Sequence, residues 1–126
     1  PVQTALPELL ALREGVRSRI HRRVADNLAL LRSALAGTAA RVLPCEGGWC
    51  AVVEGAFDGD DLALRLLSED GVLLHPGTFY DFPPGGYLVV GLLSADLDAG
   101  ARCLALRLRR QSHGRHGGGG SPTCIR

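Results

Sequence analysis

Apolar residues first recur along this chain at helical spacing. Leu9, Leu12, Val16, Ile20, Val24, Leu28, Leu31 and Leu35 follow one another at steps of three or four, which places them on one stripe of an α-helix. Pro7 suits the first turn of that helix and Gly37 the position just past its end. One helix of about eight turns is therefore expected. Arg13, Arg17, Arg19, Arg22, Arg23 and Arg32 lie off the stripe and form a solvated face.

From Ala40 the period shortens. RVLPCE reads as a short extended segment, with Pro44 at an edge or strand end. Gly47-Gly48 breaks the chain, and WCAVVEG reads as a second strand that can pair back across the turn. Asp58 to Asp61 supply N-cap candidates for a helix carrying Leu62, Leu64, Leu66 and Leu67, which Asp70-Gly71 ends. VLLH, residues 72–75, is expected as a short buried strand stopped by Pro76-Gly77. A loop with Phe79, Tyr80 and Phe82 leads into YLVVGLL, residues 87–93, the clearest strand pattern in the chain. Ser94 is placed to cap a last helix whose apolar face holds Leu97, Ala101, Leu104 and Leu108.

After Arg110 the apolar period stops, and four consecutive glycines follow. Residues 111–126 are expected to be a disordered Gly-rich tail behind one domain spanning 1–110. The fold class is α+β, a small mixed or antiparallel sheet packed with helices in the order α-β-β-α-β-β-α.

Composition narrows the chemistry. At 126 residues and 46% hydrophobic content the chain can bury a real core, and no apolar run approaches the ~20 residues of a membrane span. It starts at Pro1 without a methionine or a signal-peptide pattern, which suggests a processed chain or part of a longer one, in the cytoplasm. All fourteen basic residues are arginine, so no side chain can form a Schiff base with a carbonyl cofactor. Glu14 and Asp26 interrupt the arginines of the first helix and the net charge is only +1, which argues against nucleic acid. Cys45, Cys50, Cys103 and Cys124 form no zinc-type spacing and read as free, largely buried thiols, with a Cys45–Cys50 disulfide or a metal site as the alternatives. The tail's His113, His116 and Cys124 offer no preorganised metal site.

Few groups remain that can carry chemistry. The Gly47-Gly48 pair precedes a strand instead of opening a helix, so it reads either as a turn with positive φ or as backbone that approaches a ligand closely. Trp49 is then either the largest core anchor or a ligand neighbour. His75, at a strand end beside Pro-Gly, is the best-placed titratable residue; it is either a general base or a structural histidine among aromatics. Phe79, Tyr80 and Phe82 either pack or cover a pocket.

Taken in order, RVLPCEGGWCAVV, LLSEDGVLLHPGTFYDF and GYLVVGLLSAD with its closing helix resemble the C-terminal small domain of class I/II aminotransferases, pyridoxal-phosphate enzymes of fold-type I. The resemblance covers roughly residues 5–110. It implies that a large domain of the same polypeptide, absent here, holds pyridoxal 5'-phosphate and the Schiff-base lysine, while this domain encloses the substrate. It implies amino-group transfer between an amino acid and a 2-oxo acid, a homodimeric full enzyme, and a first helix that links the two domains. Gly48, Trp49, His75 and Phe79 would line the substrate cleft, and no residue of this chain would be catalytic or bind the cofactor. In isolation the chain would be inert.

The sequence departs from the family at one place. The arginine that in many members pairs with the substrate carboxylate falls at about Val89, and residues 87–93 contain none. The alternative is a stand-alone small-molecule-binding or regulatory α+β module. The first helix separates the two readings, because a domain cut from a larger enzyme leaves apolar surface uncovered and a module buries it. Leu6, Leu10 and Leu30, off the main stripe, already hint at uncovered surface.

Overall fold

The computed structural model describes residues 2–114. Its elements are helix α1 (Val2–Ala11), helix α2 (Arg13–Leu35), strand β1 (Ala40–Val42), strand β2 (Cys50–Gly55), helix α3 (Gly59–Asp70), strand β3 (His75–Pro76), a 3-10 turn (Gly77–Tyr80), strand β4 (Tyr87–Gly91) and helix α4 (Leu97–Gly114). The fold is α+β. Its sheet is antiparallel throughout, in the order β1-β2-β4-β3. Among the described residues no helix is long and apolar enough to cross a membrane.

Side chains alternate across a strand, so the register assigns the two faces of the sheet. Ala51, Val53, Leu88 and Val90 point into the core. There they meet Leu31 and Leu35 of α2, Leu62 and Leu66 of α3, and Leu97, Ala101, Leu104 and Leu108 of α4. The apolar face expected on the last helix is thus the buried one. Among the described residues the core helices pack on that one side, and on the opposite, open face Arg41, Glu54 and Tyr87 form one row across the strands, and Val52, Val89 and His75 the next. Arg41 Nε donates to Glu54 at 2.8 Å, and the Tyr87 hydroxyl donates to the other carboxylate oxygen at 3.1 Å. The Arg41 guanidinium, then the tyrosine, hold the Glu54 carboxyl below its usual range.

Helix α3 is built as its ends direct. The Asp58 side chain accepts from the Asp61 N–H at 3.0 Å, and Gly71 closes the helix in the left-handed conformation, φ 67°. Asp70 and Glu69 sit at a helix C-terminus, where the dipole disfavours negative charge. Arg107 of α4 offsets this, reaching Asp70 at 2.8 Å and 3.0 Å and Glu69 at 2.6 Å. Both carboxyls are held below their ordinary values, chiefly by hydrogen bonds from Arg107. A carboxyl with a depressed folded value stabilises the fold above its unfolded value and loses that contribution as pH falls through the folded one. Arg107→Ala is therefore expected to lower stability at pH 7 and to remove part of the acid sensitivity. Its deficit against the parent should shrink as pH drops below the ordinary values of 3.8 and 4.5. Urea unfolding at pH 7 and pH 3 checks this; a deficit equal at both pH values would show that the ion pairs do not matter.

Several elements differ from their sequence patterns. The first helix is two, with a tight turn in which the Leu12 N–H reaches the Leu9 carbonyl at 3.2 Å. Pro7 lies inside α1 instead of in a first turn of the long helix. Every described residue before Val24 is exposed, so only the second half of α2 packs on the body. Segment 72–75 is not the buried strand expected: only His75 belongs to a strand, β3 (His75–Pro76), and none of the four residues is buried. Cys50 is exposed on the open face, while Cys45 and Cys103 are partly exposed; all three are free, so neither burial nor a Cys45–Cys50 bridge describes them. Helix α4 continues through Gly114, four residues beyond the boundary expected at Arg110. The remainder of the expected tail, with His116 and Cys124, lies outside the described residues.

Candidate functional site

The shortness of β3 creates the main concavity. Only His75 and Pro76 pair with β4, opposite Val89 and Leu88, so residues 72–74 stand off the ladder. Between that segment, the C-terminal end of β4 and the first turns of α4 lies a cleft of about 650 Å³, a size typical of small-molecule sites. Val72, Leu74, Val90, Leu97, Ala101 and Leu104 form its inner walls. Trp49, His75, Tyr80, Ser94 and Asp96 also border it.

Each border residue is positioned by identifiable contacts. The Trp49 carbonyl accepts from the Leu92 N–H at 2.7 Å, which ties the turn before β2 to the exit of β4. The Trp49 side chain is 62% exposed, so it is not a core anchor. His75 Nδ1 and the Tyr80 hydroxyl lie 2.8 Å apart, and their rings stack with centroids 5.9 Å apart. The 3-10 turn makes this possible by bringing position 80 back over position 75. It is held in place by the Thr78 hydroxyl, which donates to Asp60 at 2.7 Å. Ser94 caps the turn before α4, its hydroxyl accepting from the Asp96 N–H at 3.3 Å.

The β4–α4 connection is clamped from outside. Asn27 of α2 donates its side-chain amide to the carbonyls of Leu92 at 2.8 Å and Ser94 at 2.9 Å. The sequence patterns single out neither Asn27 nor Asp96, and they mark Tyr80 as packing or covering a pocket and Ser94 as a helix cap without assigning either to this cleft. A signal for Asn27 exists: it is the only asparagine of the chain, and it stands three residues after Val24 and four before Leu31, on the inward stripe. The others carry no such signal, because a turn and a strand end 14 residues apart meet only in three dimensions.

Of the four expected cleft residues, the structure brings Trp49 and His75 to the same cavity. Gly48 is adjacent to Trp49 but does not line it; its φ of 77° explains the glycine as a turn requirement. Phe79 is 71% exposed and touches the His75 ring, at 5.9 Å between centroids, without forming a wall. Val89 lies on the open face between Val52 and His75 and is 7% exposed. Among the described residues no group of His, Cys, Asp and Glu could hold a metal ion. Neither lysine nor arginine lines the cleft.

No family model and no curated protein matches this sequence. Solved structures share its fold. Valine-pyruvate aminotransferase AvtA from Salmonella typhimurium LT2 superposes with a TM-score of 0.67 at 20% identity, over 78% of this chain and 28% of its own. The aromatic aminotransferase from Pyrococcus horikoshii OT3 gives 0.63 at 15% identity, over 79% and 27%. YbdL from Escherichia coli, described as having a methionine aminotransferase function, gives 0.53 at 23% identity, over 82% and 27%. The chain thus spans little more than a quarter of the length of each of these three proteins.

Proposed function

We propose that this chain is the substrate-enclosing C-terminal domain of a pyridoxal-phosphate-dependent aminotransferase. The observation that carries this reading is the shared fold: about four fifths of the chain superposes on aminotransferases and accounts for about a quarter of them. A second feature agrees. Val2, Leu6, Leu9, Leu10, Leu12, Val16 and Ile20 are all exposed, from 39% to 72%. Exposed apolar residues in that number along α1 and the start of α2 are what a domain presents where the rest of a larger protein packs.

The chain does not itself fit the cofactor. It has no lysine to bond the aldehyde, and no cation lines the cleft to receive a phosphate. Pyridoxal phosphate therefore belongs to a large domain outside these residues, and what this chain contributes is a wall. The cleft supplies apolar surface and excludes water, with His75 and Tyr80 at its border. The chain alone is inert in amino-group transfer.

The test is the intact mass of the native protein, followed by transamination assays with added pyridoxal phosphate. We expect a mass several times that of the 126 residues, an upstream segment with a reactive lysine, and transfer activity in the whole protein only. A native protein of these 126 residues alone would overturn the reading in favour of a binding module.

A further inference from the structure

We infer that the cleft beside β4 receives an apolar, uncharged or cationic part of the ligand and rejects a carboxylate. This rests on the reading of the cleft as part of a substrate site. Its inner walls are aliphatic, built from Val72, Leu74, Val90, Leu97, Ala101 and Leu104. Its polar border includes Asp70, Asp96 and the hydrogen-bonded His75–Tyr80 pair, and neither lysine nor arginine lines it. Asp70 is already committed to Arg107, whereas Asp96 has no ion pair among the described residues.

A carboxylate entering this space would exchange water for hydrocarbon with no lysine or arginine to meet it, and it would face the carboxylate of Asp96. Burial of an unpaired charge beside like charges is among the least favourable arrangements in a protein. An amine meets the opposite situation. Its chain fills the aliphatic interior while its ammonium reaches Asp96 at the border. The neighbouring row on the open sheet face points the same way, since Val52 and Val89 are aliphatic and no arginine stands beside them in β4. The ligands expected are therefore primary amines with a branched or aromatic apolar group, or amino acids whose apolar side chain enters here while the carboxylate is held by another part of the protein.

Three probes with one carbon skeleton separate the possibilities: 4-methylpentan-1-amine, 4-methylpentan-1-ol and 4-methylpentanoate. Binding to the 126-residue chain can be read by the fluorescence of Trp49, its only tryptophan, which borders the cleft. The amine and the alcohol are expected to bind, with the carboxylate about tenfold weaker or more. Asp96→Asn should erase the advantage of the amine over the alcohol. Gly91→Leu, where a Cβ meets open space, should fill the cleft and abolish binding of all three while the far-UV spectrum is kept. Carboxylate binding equal to or tighter than the amine overturns the inference, as does failure of all three probes to bind. Because the readout needs no cofactor and no turnover, it stands or falls separately from the mass and transamination tests.

Discussion

Gly86→Ala is expected to destabilise the domain by about 3 kcal/mol, the upper part of the range for overpacking. A Cβ on Gly86 would lie on the carbonyl oxygen of Gly55, well inside contact distance, and 3.0 Å from the carbonyl oxygen of Phe57. These obstacles are backbone atoms at the exit of β2, which cannot rotate away as a side chain can. The same displacement would break the bond from the Gly55 N–H to the Gly86 carbonyl, now 2.9 Å. Gly86 does not adopt a positive φ, so the requirement is for space alone. Gly91→Ala, at the far end of the adjoining strand β4, is the control. A Cβ there meets nothing within 4 Å, and a change within about 0.5 kcal/mol is expected. Urea unfolding midpoints of the two variants decide the matter; equal midpoints would mean that β4 can shift away from β2 freely.

The second large effect concerns one helix face. Leu62 is fully buried between the sheet and the helices, and Leu62→Ala is expected to cost about 2–5 kcal/mol, as truncations in packed cores do. Leu64, two residues on and identical in type, is 65% exposed. Leu64→Ala should change stability by no more than about 0.5 kcal/mol. Thermal or denaturant unfolding of the pair measures the difference directly. A Leu62→Ala protein as stable as Leu64→Ala would show that α3 is not seated on the sheet.

That pair also marks how far the sequence could be read. Leu62, Leu64, Leu66 and Leu67 all belong to one recognisable helix, with a cap at Asp58 and a glycine stop at Gly71. The structure buries Leu62 and Leu66 and exposes Leu64 and Leu67. In helix α4 the apolar residues Leu97, Ala101, Leu104 and Leu108 recur at steps of three and four and form a single buried face. The stripe of α1 and α2 was equally regular, yet its first half covers nothing here. Periodicity states which side chains share a face, and whether another element lies against that face is a separate matter.

Local chemistry thus determined the capped helix α3, the core face of α4, the strand cores of β2 and β4, the missing lysine and the arginine-free strand. Each depends on residues a few positions apart, whose dihedral and side-chain preferences act within one turn or one strand. Tertiary structure decided the rest. It set the strand order, shortened β3 to two residues, opened the cleft beside β4, drew Trp49, His75 and Tyr80 to its border, and placed Asn27 on the β4–α4 connection. Those outcomes follow from which apolar faces can be buried together and which backbone groups can then find partners. Such competitions are settled between residues as distant as Asn27 and Ser94, and no local pattern records them.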